Sequence, residues 1–227
     1  MLVHVTGVLS AETLALFNAQ LAAAPWGSGR ITAGPQSGAV KYNMQLPQGS
    51  AEARKLGDIV LTSLDCSALF WSAALPARVY PPMFNRYAEG MAFGSHIDNA
   101  IRKLPGCAAR IRTDVSVTLF LSAPDSYDGG ELVVEDTFGE RSVKLPAGDM
   151  VIYPATSRHH VRPVTRGTRL ASFFWVQSIV KSDAERSMLF EFDQSIQSLA
   201  AERGVNDTQV LRLTGLYHNL VRKWGEP

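Results

Sequence analysis

The chain has 227 residues, 46% of them hydrophobic and 19% charged, with a formal net charge of +1. That length can bury one substantial core and admits one to two domains. A near-neutral charge with dispersed arginines leaves no electrostatic footprint for nucleic acid, and no charged leader or membrane-length apolar run stands out, so a cytoplasmic protein with no nucleic-acid and no membrane partner is expected.

Ser10 is placed to cap a first helix carrying Leu14, Leu16, Phe17 and Leu21. Gly/Ser-rich loops then lead to a strand over 40–45. From 53 to 71 the apolar residues Leu56, Ile59, Val60, Leu64, Ala68 and Trp71 recur at helical spacing, which predicts one helix packed on a sheet. Cys66 falls in that pattern and Cys107 in a polar loop; nothing suggests a disulfide framework, and both are read as free thiols. Short strands follow over 82–88, 114–121, 131–135, 141–144 and 150–153, separated by turn signals at Asp128-Gly129-Gly130, Phe138-Gly139 and Pro146-Ala147-Gly148. Residues 158–164 alternate like a strand, Thr165-Arg166-Gly167 reads as a turn, and 168–175 is an aromatic-rich strand, so a hairpin is predicted. Phe173 and Trp175 are expected to fill the barrel. This succession predicts a mainly β fold with flanking helices: a double-stranded β-helix, the two-sheet jelly roll of the cupin type, with N-terminal helices. A C-terminal helical hairpin completes it. Ser182-Asp183-Ala184-Glu185 is a capping box, Gly204 closes that helix, and a second begins at Asn206 with a stripe of Val210, Leu213, Leu216, Tyr217, Leu220, Val221 and Trp224. The stripe is expected to pack on its own barrel, with a homodimer through these helices as the alternative.

The pattern that points to chemistry is His96-Ile97-Asp98, then His159, then Arg169. Two residues apart on a strand, His96 and Asp98 share a face. A histidine from a distant strand completes a 2-His-1-carboxylate facial triad, which suits non-haem Fe(II) and leaves three coordination positions open. A His-x-Asp pair alone is a weak signal; the conjunction carries the weight. In the predicted hairpin, with Gly167 left-handed, Val164 opposes Thr168 and Pro163 opposes Arg169, so His159 shares a face with Arg169 while His160 turns away. Four strand positions are about 13 Å, a span that an arginine and a five-carbon diacid bridge together. Arg110, Arg112, Arg158 and Arg162 either form a basic rim that attracts a carboxylate-bearing substrate or stay solvated on the surface. Asp128-Gly129-Gly130-Glu131 lacks the register of a calcium loop and is read as a turn leading into a barrel strand.

The runs Phe84-Asn85-Arg86-Tyr87-Ala88-Glu89-Gly90, His96-Ile97-Asp98-Asn99-Ala100-Ile101-Arg102, Arg112-Thr113-Asp114, Asp128-Gly129-Gly130-Glu131-Leu132, Lys144-Leu145-Pro146-Ala147-Gly148-Asp149 and Pro163-Val164-Thr165-Arg166-Gly167 resemble the bacterial PKHD-type hydroxylases. These are Fe(II)/2-oxoglutarate dioxygenases related to the prolyl and lysyl hydroxylases, in a group associated with iron uptake. The resemblance covers nearly the whole chain. It implies that His96, Asp98 and His159 ligate iron and that Arg169 binds the distal carboxylate of 2-oxoglutarate. It also places Tyr87 as a hydrogen-bonding partner of the co-substrate, a core tyrosine being the alternative. The implied domains are a 1–77 support region, a 78–178 dioxygenase jelly roll and a 179–227 helical extension. The implied reaction consumes dioxygen, releases succinate and CO2, and hydroxylates a small-molecule or peptidyl substrate, with L-ascorbate (vitamin C) keeping iron reduced. A carboxylate at Asp98, where a small residue would leave room for halide, favours hydroxylation over halogenation. Arg158 stands where the group is expected to carry an apolar residue, and Arg169 where collagen-type prolyl hydroxylases use lysine. A cupin-type metal enzyme that does not use 2-oxoglutarate, and a non-catalytic iron or 2-oxoacid sensor, are the competing classes; a peptidyl residue, a free amino acid and a siderophore-like molecule all remain open as substrate.

Overall fold

Alternation along short strands builds two facing sheets in the computed structural model, which describes residues 1–136 and 139–226. The larger sheet runs Val3–Val5, Met150–Pro154, Val115–Phe120, Arg169–Ser178, Met83–Tyr87, Met44–Gln45 and Gly27–Ser28, with Pro76–Val79 also pairing on Arg169–Ser178. The smaller runs Gly139–Val143, Leu132–Asp136, His159–Val161, Ala92–His96 and Lys41–Tyr42. Phe138 of the expected Phe138-Gly139 turn lies outside the described residues, but the strands on either side of it pair as a hairpin.

Val115–Phe120 shows how the sequence divides the two faces. All six residues are buried, yet Val115, Val117 and Leu119 join the outer apolar core, whereas Ser116 and Thr118 line the interior cavity. The outer core is closed by helices Ala11–Ala22, Ala51–Asp65 and Ala68–Ala74, through Phe17, Leu21, Leu56, Val60, Leu64 and Phe70. Ser10 caps the first of these as expected, its Oγ accepting from the Thr13 backbone N–H at 3.1 Å. The single helix predicted over 53–71 is two. Ser67 accepts from the Phe70 N–H and starts a new helix, which leaves Cys66 exposed at the break and Trp71 46% exposed. Cys107 is also exposed, and both thiols are free.

Two further expectations are corrected by the topology. The strand at 40–45 is split at Asn43: Lys41–Tyr42 pairs with the smaller sheet and Met44–Gln45 with the larger, so this segment bridges the open edge of the sandwich. The hairpin over 158–175 does not form. His159–Val161 lies in the smaller sheet, Val164–Gly167 pairs with Tyr127–Gly129, and Arg169–Ser178 lies in the larger sheet between Val115–Phe120 and Met83–Tyr87. Gly167 does adopt a positive φ of 75°, but at a corner between sheets. Each flanking strand carries an inward face, and a two-sheet jelly roll buries both by sending successive strands to opposite sheets.

Helices Asp183–Arg203 and Thr208–Trp224 form the C-terminal hairpin, capped by Ser182 and Asp207, with Gly204 at φ 89° between them. Arg186, 2% exposed, donates to the carbonyls of Val180 and Lys181 and to Asp183, and Ser72 Oγ donates to Asp193 Oδ2 at 2.6 Å, so the first helix rests on the body of the fold. The stripe of the second packs on the first: Val210 is buried, Tyr217 meets Phe192, and Leu216 is left 55% exposed. No helix among the described residues is long and apolar enough to cross a membrane.

Candidate active site

His96 ends the Ala92–His96 strand and His159 opens His159–Val161; the two are cross-strand partners, which sets their imidazoles side by side with centroids 4.2 Å apart. Asp98 is not on that strand, contrary to expectation, but in the loop just beyond it. The loop nevertheless returns its carboxylate to the same spot. One ligand atom from each of His96, Asp98 and His159 lies within 4.8 Å of the others, and His159 Nε2 is 3.8 Å from Asp98 Oδ2. His160 pairs opposite Val133 and is turned to the other face.

Each ligand atom is held by a neighbour. His96 Nδ1 is 2.9 Å from the Gly94 carbonyl and His159 Nδ1 is 3.0 Å from the Ser157 carbonyl; a carbonyl can only accept, so each Nδ1 carries a proton, and in the neutral ring that tautomer leaves the Nε2 lone pair for a metal. Ser116 Oγ donates to Asp98 Oδ2 at 2.5 Å from the larger sheet. Phe93 stacks on His96 at 3.7 Å. Burial first, then the neighbouring His159, pushes His96 down to about 4, so it stays neutral at physiological pH, as a metal ligand must. Two imidazoles and one carboxylate converging from a single side are a donor set that fits Fe(II) with open positions.

The second pole of the site lies deeper. Arg169 is 1% exposed, and its Nε and Nη1 have no hydrogen-bond partner among the described residues. Its guanidinium carbon is 5.3 Å from the ring centroids of both Tyr87 and Phe120. Tyr87 is its cross-strand partner, 1% exposed, with a phenol pushed up to about 12 by burial against the opposing pull of Arg169. The Tyr127 hydroxyl is likewise buried and makes no well-formed hydrogen bond among the described residues; burial raises its pKa against the opposing pull of the neighbouring Arg169. A buried guanidinium with idle N–H groups beside two phenols is a receptor for a carboxylate. The Asp128-Gly129-Gly130 run serves this pole: both glycines have positive φ, and an added Cβ would meet the Pro163 carbonyl oxygen at 2.0 Å from Gly129 and the Arg169 side chain at 3.1 Å from Gly130. His96, Asp98, His159, Tyr87 and Arg169 all line one cleft holding about 740 Å³ of atom-free space, open solvent at its rim included.

The other polar expectations fare differently. Arg112 pairs with Asp114, while Arg158 and Arg162 sit near Glu135 and Glu140 on the surface and Arg110 is exposed, so these four make no rim around the cleft. Phe173 and Trp175 turn into the barrel interior, where they line the cleft. Four residues escaped the sequence reading: Ser116, Tyr127, Lys41 and Arg102. The alternating polar residues of Lys41-Tyr42-Asn43-Met44-Gln45, all three inward ones at most 4% exposed, carried a readable signal of a polar interior.

Comparison with known proteins agrees with this geometry. A family model described as the 2OG-Fe(II) oxygenase superfamily matches residues 82–177, and one described as the PKHD-type hydroxylase C-terminal domain matches residues 183–226. PKHD-type hydroxylases of Burkholderia thailandensis and Methylobacillus flagellatus are 57% and 55% identical, each over 226 residues and 100% of both chains. Among solved structures, a prolyl-4-hydroxylase of Pseudomonas putida superposes with a TM-score of 0.53 at 18% identity, covering 78% of this chain and 92% of its own. A prolyl hydroxylase of Trichoplax adhaerens gives 0.55 at 13% identity over 82% and 86%. The fold is thus the oxygenase jelly roll, and full-length identity above one half places the chain in the family of PKHD-type hydroxylases, enzymes of the Fe(II)/2-oxoglutarate dioxygenase class.

Proposed function

We propose that His96, Asp98 and His159 hold the iron, that Arg169 receives the distal carboxylate of 2-oxoglutarate with Tyr87 and Tyr127 alongside, and that the enzyme hydroxylates a small-molecule or peptidyl substrate. The observation that carries this reading is the buried Arg169 with idle N–H groups in the same cleft as the three ligand atoms. Iron with 2-oxoglutarate and dioxygen supplies the oxidising chemistry, releasing succinate and CO2. The chain's own residues do the rest. The Gly94 and Ser157 carbonyls fix the imidazole tautomers, Ser116 orients the Asp98 carboxylate, and the apolar rings of Phe93, Phe173 and Trp175 limit water around the reacting centre. Solved neighbours lend support of two kinds: the Trichoplax enzyme is described in complex with a peptide fragment, and the epimerase SnoN, at a TM-score of 0.56, with Fe3+, alpha ketoglutarate and a nogalamycin compound. Succinate release from 2-oxoglutarate, dependent on Fe(II) and lost in Arg169→Ala, tests the proposal; wild-type turnover in that variant removes Arg169 from the site.

The same reading includes L-ascorbate as the reductant that restores Fe(II), checked by whether it prolongs turnover, and a cytoplasmic enzyme with a role linked to iron uptake, checked by fractionation and by the response of its expression to iron. It divides the chain into 1–77, 78–178 and 179–227, a division tested by limited proteolysis. A homodimer through Thr208–Trp224 is favoured by the exposed Leu211 and Leu216 and is tested by sedimentation.

A further inference from the structure

The charged side chains lining the cleft are Lys41, Arg102 and Arg169 against the single carboxylate of Asp98, counted among the described residues. In the reading above, on which this inference rests, bound Fe(II) and the 2-oxoglutarate dianion cancel one another, and the Asp98 carboxylate offsets one of the three cations, with Arg169 engaged by the co-substrate. The cleft is therefore left with two positive charges in excess, and Lys41 and Arg102 are the cations that no co-substrate group engages. Neither makes an ion pair among the described residues. Lys41, 4% exposed, donates only to neutral oxygens, Thr32 Oγ1 at 3.2 Å and Gln45 Oε1 at 3.1 Å. Arg102 donates to the Thr32 carbonyl at 3.3 Å, and its buried Nε has no partner among the described residues. One residue, Thr32, thus holds both cations on the same side of the cleft.

Their position relative to the metal ligands is fixed by the rings they lie over. Arg102 covers Trp175 at 4.0 Å, and Trp175 is the cross-strand partner of Ser116, whose hydroxyl holds Asp98. Lys41 lies 5.2 Å from the centroid of Phe93, the ring stacked on His96, and 5.7 Å from Phe173. Along the Arg169–Ser178 strand, Phe173 and Trp175 are four and six positions from Arg169, so the two cations sit beside the metal ligands at the end of the cleft away from the co-substrate anchor.

We infer that Lys41 and Arg102 form the substrate's anchor and that the substrate of this enzyme carries a carboxylate, seated between these two cations and against the Phe93, Phe173 and Trp175 rings. A buried lysine and a partly buried arginine paired only with neutral groups destabilise the free enzyme, and a carboxylate supplies the missing charge-assisted hydrogen bonds. A free small carboxylate and an acidic side chain of a peptide present the same group, and the test separates them.

The test uses the anaerobic Fe(II)·2-oxoglutarate complex of the full chain. Its chelate absorption band is recorded first; absence of that band in the wild type counts against the dioxygenase reading itself and not against this anchor alone. Benzoate is then titrated against benzamide, and acetyl-Ala-Glu-Ala-amide against its Gln counterpart, by calorimetry and by perturbation of the band. The expected result is at least tenfold tighter binding of one acid than of its neutral partner, benzoate indicating a small carboxylate and the peptide an acidic side chain. That preference should vanish in Lys41→Met, which keeps the apolar stem, and in Arg102→Gln, with 2-oxoglutarate affinity within about twofold of wild type. With the band present, equal binding of acids and neutral partners, no binding of either acid, or a preference that survives in both variants overturns the inference.

Discussion

Arg169→Met separates stability from co-substrate binding. In the free enzyme the guanidinium is 1% exposed with two nitrogens lacking partners among the described residues. Each buried unpaired donor costs about 1–3 kcal/mol. Contacts with the Tyr87 and Phe120 rings, each at 5.3 Å, return about 1 kcal/mol apiece. Methionine fills much of the same space without the charge, so the ligand-free variant should gain about 2 kcal/mol, and its melting temperature should rise by about 4–8 °C for a chain of this size. Binding moves the other way. Wild-type enzyme at a 2-oxoglutarate concentration of about 100 Kd gains about 2.7 kcal/mol. Loss of two charge-assisted hydrogen bonds at about 1.5–3 kcal/mol each weakens binding about 100-fold or more, which leaves about 0.4 kcal/mol at that concentration, or roughly 1 °C. Scanning calorimetry of the anaerobic Fe(II) form with and without 2-oxoglutarate reads both quantities. A wild-type ligand shift in the variant refutes the anchor, and a ligand-free variant that melts below wild type refutes the argument from the unpaired charge.

Alanine at His96, Asp98 or His159 should abolish Fe(II)-dependent succinate release, while His160→Ala keeps it, because His160 is turned to the opposite face; equal loss at His160 would place the wrong histidine on the metal. Ser116→Ala removes the 2.5 Å hydrogen bond to Asp98 and should weaken Fe(II) binding about 10–100-fold, read by metal competition, with unchanged affinity counting against a positioning role. Lys41 is lowered to about 8, by burial first and then by Arg102. Its folded value lies below the unfolded one, so the penalty is complete below about pH 8 and is relieved as pH rises towards 10.5. Lys41→Met should therefore stabilise the metal-free protein by on the order of 3 kcal/mol at pH 7, with the advantage shrinking between pH 8 and 10.5; a gap independent of pH would show that the charge is not its cause.

Local signals were legible in the sequence because they act within a few residues. The caps at Ser10 and Ser182, the terminating Gly204 and the strand at Val115–Phe120 all stand where they were read. The Thr165-Arg166-Gly167 segment was misread because a glycine at positive φ serves a corner between sheets as well as a hairpin. Parity still selected His159 over His160, since inward and outward faces alternate along a strand whichever neighbour it pairs with. The Arg169 distance argument, by contrast, assumed one sheet where the structure uses two facing sheets. Lys41, Arg102 and Tyr127 were beyond reach for a different reason. Their meaning comes from which partners they lack, and that depends on segments far apart in the chain.

The division of labour between the sheets explains how a cleft this polar is sustained. The smaller sheet supplies both imidazoles as a cross-strand pair, and the larger supplies Ser116, Tyr87 and Arg169 from its inward face, so the site exists only where the two sheets meet. Unpaired cations and orphaned hydroxyls inside it oppose folding by several kcal/mol in all. The opposite face of the same strands offsets that cost: Val115, Val117, Leu119, Phe174 and Val176 are buried against three helices, each fully buried aliphatic or aromatic side chain contributing about 1.5–3 kcal/mol. Period-two alternation lets one strand carry both duties. The stability generated behind the larger sheet is what allows its front to hold buried charges and hydroxyls that the strands themselves do not pair.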